Sequence, residues 1–305
     1  MKYLLIFICL LFIYLLICYI MFIFIFKANK NGSFKVIDNN IDKLLLPYKN
    51  VMNEALKWFN SVNKESMSIK SFDGIKLNGI FINNKKSKYI LILCHGYRST
   101  KERDLYASLK HYYNMGLSIL LLDQRACLNQ EGKYITFGYN ESKDVNLWIN
   151  YIYKKYKKEV ILGGVSLGAS TILMVNNKHV VSIIADSAYS SAYEEIKYAI
   201  SHYFHIIPSL FIGVISLYFR VFTGINLKEV STYKNLDKIN IPILFIHGSI
   251  DDFVPLKNVY DNYDYYKGEK DILVIDGAAH GMGYLIDSNK YINKINEFLN
   301  KYLNL

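Results

Sequence analysis

The chain has 305 residues, of which 52% are hydrophobic and 20% are charged, and its formal net charge is +10. Its four cysteines include no Cys-x-x-Cys spacing, which argues against a disulfide framework or a zinc site. The lysines are scattered, so the positive charge indicates solvated surfaces rather than an anionic membrane surface or, less plausibly still, a nucleic-acid site.

The first element is an apolar segment, residues 3–26, that contains no charged side chain. It is long enough to cross the hydrocarbon core of a bilayer as a helix. A cleaved signal peptide is the alternative, but its apolar region is shorter and ends in a small-x-small site, whereas Phe24-Ile25-Phe26 continues directly into Lys27. We therefore predict an uncleaved single-pass membrane anchor at residues 1–26.

The charges that flank this segment are compatible with both orientations in the membrane. Lys27, Lys30 and Lys35 follow it, and by the positive-inside rule they favour a cytoplasmic domain. The very short tail before the segment favours its retention inside the cell, which would export the domain. Residues 27–66 predict a polar linker with an amphipathic stretch, and residues 67–305 are enough for one domain with a large core.

Strand and helix patterns then alternate along the chain. Residues 67–72 and 75–81 predict an antiparallel pair around Asp73-Gly74. Buried, mostly parallel strands are predicted at residues 89–94, 118–123, 160–165, 181–186, 243–247 and 272–275. Helices are predicted between most of them, at residues 101–115, 141–156, 167–175, 256–265 and 283–302. This alternation predicts an α/β domain with a doubly wound, mostly parallel sheet.

The motif Gly164-Val165-Ser166-Leu167-Gly168 stands where one of these strands meets the following helix. It matches G-x-S-x-G, in which a strained turn lifts the serine hydroxyl above the sheet edge and small flanking residues make room for it. Ordinary strand-to-helix packing also produces glycines here. Ser166 is a candidate nucleophile, and it needs a histidine to take its proton and a carboxylate to orient that histidine.

The histidine and the acid can be sought at the carboxyl ends of later strands, where α/β sheets gather their active sites. Of the seven histidines, His280 lies in a loop of small residues after the last strand. Asp251 and Asp252 both follow the preceding strand. His95 and His247 each precede a glycine after a strand, and we expect them to hold loops by hydrogen bonds.

These stretches together resemble the α/β-hydrolase superfamily, and more narrowly its membrane-anchored bacterial branches related to serine aminopeptidases and acyl hydrolases. The resemblance covers the chain from about Met67 onward. It depends on five stretches: Leu93-Cys94-His95-Gly96-Tyr97, Asp123-Gln124-Arg125-Ala126, the motif around Ser166, residues 245–255, and Ala279-His280-Gly281.

The resemblance implies roles for particular residues. The acid is Asp251, the fifth residue of H-G-x-x-D-x-x-V-P, while Asp252 is a helix N-cap or a loop charge. The chain order is then Ser166, Asp251 and His280, as in nucleophile-elbow hydrolases. The backbone N–H groups of Tyr97 and Leu167 form the oxyanion hole.

One loop departs from the pattern of the family. Cys127 and Leu128 stand where relatives carry a histidine and a glycine, in a loop near the rim of the active site.

The apolar insert at about residues 190–232 is interrupted by Pro208 and closed by Arg220, which disfavours a second membrane span. In this fold such an insert forms a helical cap over the nucleophile, and an apolar cap shapes a greasy pocket. Alternatively, the apolar face only packs on the sheet.

The sequence therefore predicts a membrane-anchored serine hydrolase that cleaves esters, thioesters or amides, and most specifically a carboxylesterase or lipid acyl hydrolase. It implies no metal and no organic cofactor, and its expected partners are a small-molecule or lipid-derived acyl substrate and the membrane. An aminopeptidase-like serine peptidase is the alternative enzyme. A non-catalytic, membrane-bound binding protein on the same fold is the alternative of another class.

Overall fold

The structure is a computed structural model that describes residues 1–28, 43–128 and 130–305. The strands are β1 (Glu65–Lys70), β2 (Lys76–Ile82), β3 (Ile90–Cys94), β4 (Ser118–Leu122), β5 (Val160–Val165), β6 (Val180–Asp186), β7 (Ile243–Gly248) and β8 (Lys270–Ile275). The helices are α1 (Lys2–Phe26), α2 (Lys49–Ser61), α3 (Lys101–Asp104), α4 (Tyr106–Asn114), α5 (Tyr139–Tyr156), α6 (Leu167–Leu173), α7 (Ala192–Phe204), α8 (Ile212–Thr223), α9 (Tyr233–Leu236), α10 (Lys257–Tyr265), α11 (Gly283–Ile286) and α12 (Ser288–Leu303).

The strands form one sheet in the order β1-β2-β4-β3-β5-β6-β7-β8. The pairs β1–β2 and β2–β4 are antiparallel, and every other neighbouring pair is parallel. β3, β4, β5 and β7 are buried along their whole length, as expected for strands covered by helices on both faces. Because the parallel strands end at the same edge, the loops that carry the candidate site residues meet there.

The predicted strands all form, and their ends differ from the predicted ends by at most two residues. The helices differ more. The helix predicted at residues 101–115 is two helices that part at Leu105, and the last helix is divided at Asp287. The Asp287 side chain accepts a hydrogen bond from the Lys290 N–H at 2.9 Å, so it caps the start of α12.

The segment predicted as a linker contains a helix that packs on the domain. On α2, Phe59 stacks on Tyr106 of α4 with ring centroids 4.2 Å apart, and Trp58 meets Tyr113 edge-on. This contact is the reason for the amphipathic pattern found in the sequence. The part of the predicted linker at residues 29–42 lies outside the described residues.

Helix α1 has the length and the apolar composition of a membrane span, which are also those of a signal sequence. Its carboxyl end is joined to the domain by backbone hydrogen bonds. The Ile135 N–H donates to the Phe26 carbonyl at 2.7 Å, and the Ala28 N–H donates to the Lys133 carbonyl at 2.9 Å. The sequence did not predict this attachment, because it presented α1 only as an apolar segment.

The insert between β6 and β7 contains α7 and α8, and it is closed at its base. Ser191 and Ser231 form an antiparallel bridge, and the Thr232 N–H donates to the Ser190 carbonyl at 3.1 Å. The two ends of the insert are thus held together where they leave the sheet. We call residues 191–231 the cap.

A buried ion-pair network ties the hairpin to α5. Arg125 makes two hydrogen bonds to Asp144, at 2.6 and 2.7 Å, and a further one to Asp73 at 2.7 Å. Ser71 donates to Asp144 as well. Arg125 and Asp144 are 4% and 6% exposed, so water solvates neither charge and Asp144 depends on Arg125 for compensation. This is the structural role of the arginine in the Asp123-Gln124-Arg125-Ala126 stretch.

Replacing Arg125 by leucine is expected to lower the free energy of unfolding by about 3–5 kcal/mol, because Asp144 stays buried without its counter-charge. Adding Asp144→Leu should recover part of this loss. Denaturant unfolding of the full chain in detergent, followed by circular dichroism, measures both, with Lys154→Leu on the exposed face of α5 as the control. A loss no larger than that of the control would contradict the assignment.

Candidate active site

Ser166 stands in a strained turn between β5 and α6. Its backbone has φ of +57° and ψ of −121°, a conformation that residues other than glycine rarely adopt. The flanking glycines allow the turn, because a Cβ on Gly164 would lie 2.6 Å from the Gly168 carbonyl carbon. A Cβ on Gly168 would collide with the carbonyl oxygen of Cys94 at the end of β3. The sequence motif thus marks a real close approach of three backbone segments.

The structure brings Asp251 and His280 together. The His280 Nδ1 lies 2.7 Å from the Asp251 Oδ2. Gly248, at the end of β7, allows this approach, because a Cβ there would collide with the carbonyl of Ala278 in the histidine loop. The Ile250 N–H also donates to the Ala278 carbonyl, at 3.1 Å. The acid turn and the histidine loop are therefore in direct backbone contact.

Asp251 is held as an anion inside the fold. Burial opposes its ionisation, but hydrogen bonds from His247 and His280 outweigh burial and lower the pKa of its carboxyl well below the usual range. Its Oδ1 accepts the N–H groups of Phe253 and Val254 at 3.0 and 2.8 Å. Both oxygens are thus satisfied, and the carboxylate is fixed in place.

The neighbouring carboxylate, Asp252, is exposed. Its backbone carbonyl accepts hydrogen bonds from two cap tyrosines, Tyr198 at 3.0 Å and Tyr203 at 3.3 Å. It is not a helix N-cap, because α10 begins only at Lys257. Of the two alternatives given for its side chain, the loop charge is the correct one.

The two remaining strand-end histidines bind backbone groups. The Gln124 N–H donates to the His95 Nε2 at 3.2 Å, and the His247 Nε2 lies 2.9 Å from the Val254 carbonyl. His247 also lies 3.3 Å from Asp251. The expectation that they hold loops is confirmed, and His247 additionally supports the acid.

The histidine loop lies against the turn that carries Ser166. A Cβ on Gly281 would lie 3.2 Å from the Val165 Cγ1, and the Gly281 N–H donates to the Ser187 Oγ at 3.4 Å. The Ser166 N–H in turn donates to the Asp186 carbonyl at 2.8 Å. The loop after β8 therefore reaches the ends of β5 and β6, and Ser166 and His280 lie in neighbouring loops.

Two backbone segments beside Ser166 supply the candidate oxyanion donors. Leu167 is the first residue of α6, and the first N–H groups of a helix have no acceptor within it. Tyr97 lies in the turn after β3, which Asp104 stabilises by accepting the Gly96 N–H at 2.7 Å and the Ser99 hydroxyl at 2.8 Å. Asp104 was not identified from the sequence, where it stands in an ordinary charged run.

Ser166 opens into an apolar cavity of about 370 Å³. Its walls are aromatic and aliphatic side chains from α1, the core loops and the cap: Phe24, Ile25, Tyr97, Phe137, Tyr189, Ile196, Ala199, Ile200, Tyr203, Phe204 and Phe253. The Phe253 ring lies 4.8 Å from that of His280, so the cavity also reaches the histidine. The predicted apolar pocket under the cap is present, and α1 is an unexpected part of its wall.

Glu195 of α7 is the one acidic side chain among the cavity's lining residues. It is buried, and within the described part of the chain its Oε2 has no hydrogen-bond partner. Burial, assisted by the nearby charge of Asp251, raises the pKa of its carboxyl to about 8. Glu195 was not identified from the sequence, because Glu194 and Glu195 together are typical of a solvated helix face.

The loop in which this chain differs from its relatives lies beside the cavity. Cys127 is buried in the same apolar cluster as Phe137, which lines the cavity, and burial raises the pKa of its thiol to about 12. Asn129, in the same loop, lies outside the described residues. Among the residues described, no group of histidine, cysteine and acidic side chains is arranged to hold a metal ion.

Comparison with known sequences finds a relative that matches most of the chain. No model of a protein family matches the sequence. The chain is 24% identical over 255 residues to the uncharacterized protein YqkD of Bacillus subtilis, and the match covers 81% of this chain and 82% of that protein.

Solved structures resemble this one over most of its length. The esterase Pf2001 of Pyrococcus furiosus superimposes with a TM-score of 0.65 and 20% identity, over 80% of this chain and 92% of its own. The α/β hydrolase GrgF of a Penicillium species gives 0.62 and 16%, over 80% and 100%. The acylaminoacyl peptidase of Pyrococcus horikoshii gives 0.59 and 17%, over 81% of this chain but 43% of that one. With the strand order and the elbow described above, these likenesses show that the chain has the α/β-hydrolase fold that its sequence predicted.

Proposed function

We propose that the protein is a serine hydrolase whose nucleophile is Ser166, whose general base is His280 and whose acid is Asp251. The observation that carries the proposal is the short Asp251–His280 hydrogen bond beside a serine in a strained elbow that opens into a cavity. The esterase and peptidase named above support a hydrolase through their shared fold. The apolar cavity wall favours an acyl ester, so we infer a carboxylesterase or lipid acyl hydrolase.

In the proposed mechanism, the hydrogen bond between His280 and Asp251 supports one path for the protons. His280 directs Nδ1 to Asp251, so Nε2 is the nitrogen that takes the proton of Ser166. Ser166 Oγ then bonds to the acyl carbon, and the N–H groups of Tyr97 and Leu167 stabilise the oxyanion. The bond to the leaving group breaks as His280 returns the proton to it. Water, deprotonated by His280, releases the acid and restores Ser166.

We further infer that α1 anchors the protein and is retained. Phe24 and Ile25 form part of the cavity wall, and Phe26 is fully buried in the domain. Cleavage of α1 as a signal sequence would remove that wall and expose the apolar surface beneath it. Retention of the helix is therefore consistent with a formed site.

A serine peptidase is the second candidate, and Glu195 is the observation that favours it. A carboxylate in the cavity would pair with the amino group of an aminoacyl substrate. Aminoacyl p-nitroanilides compared with p-nitrophenyl esters separate the two functions. Faster turnover of the anilides than of any ester, abolished by Glu195→Gln, would establish the peptidase.

Labelling with a fluorophosphonate probe tests for an activated serine. The full chain in detergent should be labelled, and Ser166→Ala should remove the label, because only a serine with a proton acceptor attacks the phosphorus rapidly. Ser170→Ala on the same helix is the matched control. Labelling that survives Ser166→Ala would refute the nucleophile, and no labelling of the folded wild type would favour a non-catalytic binding protein.

The two adjacent carboxylates provide a second test. Asp251→Asn is expected to lower kcat for p-nitrophenyl butyrate by roughly 10³–10⁴-fold, because the imidazole loses the anion that orients it. Asp252→Asn is expected to change kcat by less than about threefold, since its side chain is exposed. The reverse ranking would move the acid by one residue.

The raised pKa of Glu195 predicts a dependence on pH. The pKa of this carboxyl is 4.5 in the unfolded chain and about 8 in the folded protein. Between these pH values the folded protein keeps a proton that the unfolded chain loses, so stability falls as pH rises through this window. Glu195→Gln is therefore expected to raise Tm more at pH 7.5 than at pH 4. Ester hydrolysis by the wild type should decline above about pH 8 as the charge forms in the cavity, and the variant should lack this decline.

Glu194→Gln is the control for this measurement, because Glu194 is exposed on the same helix. Thermal unfolding of the full chain in detergent, followed by tryptophan fluorescence, gives the two Tm values at each pH. An equal change of Tm at both pH values would show that the carboxyl of Glu195 ionises normally.

A further inference from the structure

The second half of helix α1, from Tyr14 to Phe26, packs side by side with the cap helix α8. The rings of Tyr14 and Phe211 lie 6.0 Å apart, and those of Phe26 and Phe219 lie 4.5 Å apart. Between these contacts, the Tyr218 hydroxyl donates to the Leu15 carbonyl at 3.3 Å. The residue numbers rise together along both helices, so the pair runs in parallel. A helix that spans a membrane would therefore take α8 with it.

The length of α1 indicates how deep in the bilayer α8 would lie. Its 25 residues make a helix about 37 Å long, against a hydrocarbon core of about 30 Å. At most about 7 Å of α1 can then protrude at the Phe26 end while the other end still reaches the opposite boundary. Tyr14 lies just over three turns, about 18 Å, before Phe26. The start of α8, beside Tyr14, would then lie about 11 Å inside the core of an upright span.

The exposed side chains at residues 207–222 are mostly large and apolar, as this depth requires, while Ser201, His202 and His205 are exposed at the end of α7. Ile207, Leu210, Leu217 and Val221 are between 58% and 68% exposed, so large apolar side chains face outward. The one charged side chain of α8 is Arg220, close to its carboxyl end and level with Phe26. A basic side chain at that level reaches the headgroups, whereas one at the start of α8 would not.

The mouth of the cavity lies at the boundary between the hydrocarbon and the headgroups. Among the lining residues, Phe24, Tyr203 and Phe204 are 60%, 45% and 43% exposed, so the cavity meets the surface at these side chains. The rings of Phe24 and Phe204 face each other edge-on at 6.1 Å. Phe24 stands two residues before the end of α1. If α1 spans the membrane, Phe24 lies at the level at which lipids carry their ester bonds.

We propose that the cap is immersed in the leaflet beside α1 and that the substrate is an acyl-bearing lipid of that leaflet. Its acyl chain enters the cavity sideways, between Phe24 of the anchor and Phe204 of the cap, and its ester reaches Ser166 without crossing water. This inference deepens the proposed function and depends on it for the chemistry. The immersion of the cap stands independently of the chemistry.

The immersion is measured without any activity. Leu217→Trp is introduced into the full chain, which is reconstituted in phosphatidylcholine vesicles, and its fluorescence is compared with that of the wild type. Phosphatidylcholine brominated on its acyl chains is expected to quench the added tryptophan strongly, and Tyr260→Trp on α10 only weakly. Equal quenching at the two positions would overturn the immersion of the cap, whether or not the protein is a hydrolase.

The route of the substrate is measured with two esters of 4-methylumbelliferone. The oleate is embedded in the vesicles, and the acetate is offered from water. The variant Leu217→Asp with Val221→Asp, whose side chains lie outside the cavity, is expected to lower oleate turnover at least tenfold and to leave acetate turnover within about twofold. The matched variant Leu46→Asp with Tyr260→Asp, on exposed apolar residues elsewhere, should change neither ester.

The mouth itself is tested by Phe204→Arg, with Phe204→Leu as the conservative variant. The ratio of oleate to acetate turnover is expected to fall at least tenfold with arginine and to stay near the wild-type ratio with leucine. An equal loss of both esters in the aspartate and arginine variants would show that the cap only packs on the sheet. Absence of turnover of either ester by the wild type would refute the proposed hydrolase, and the quenching result would still decide the immersion.

Discussion

The arrangement of the site depends on the close approach of backbone segments at one edge of the sheet. Gly168 lies so near the end of β3 that a single added methyl group would collide with Cys94, and Gly248 lies equally near the histidine loop. These contacts show how closely the loops approach, and the hydrogen bond from the Ile250 N–H to the Ala278 carbonyl holds the acid turn to the histidine loop. The strained backbone of Ser166 persists because the segments around it are fixed, and Asp251 meets His280 for the same reason. Without the glycines, the same side chains would lie on loops too far apart to interact.

The second determining contact is the packing of α1 on the cap, which makes a membrane-type helix part of a globular structure. Hydrogen bonds hold its carboxyl end to the domain, and one face of its last two turns is buried against aromatic side chains. The cavity beside Ser166 is consequently enclosed by three parts of the chain that are distant in sequence: the amino-terminal helix, the cap and the core loops. Helix α1 and the pocket are therefore parts of one structure.

Much of the fold was predictable because buried strands are continuous apolar runs. The elbow was predictable because its glycines stand where a side chain would collide with neighbouring backbone. Asp287 carried a capping signal that the helix prediction overlooked. The packing of α1 on α8 was not predictable, since a helix that is apolar all round does not reveal which face meets a partner. Glu195 and Asp104 were missed for the opposite reason. Each stands among other charged residues, and only the folded chain shows that it is buried.

The contact stripe on α1 divides that helix into two surfaces with different evolutionary constraints. Cys18, Phe22 and Phe26 are fully buried and recur every fourth residue, so a change of shape at any of them disturbs the cap. The opposite side of the same helix is exposed, so it tolerates any side chain of similar polarity. Exchanging this segment for another of equal hydrophobicity would therefore not be neutral. Among orthologues, the rate of amino-acid replacement along the segment should oscillate with the helical repeat.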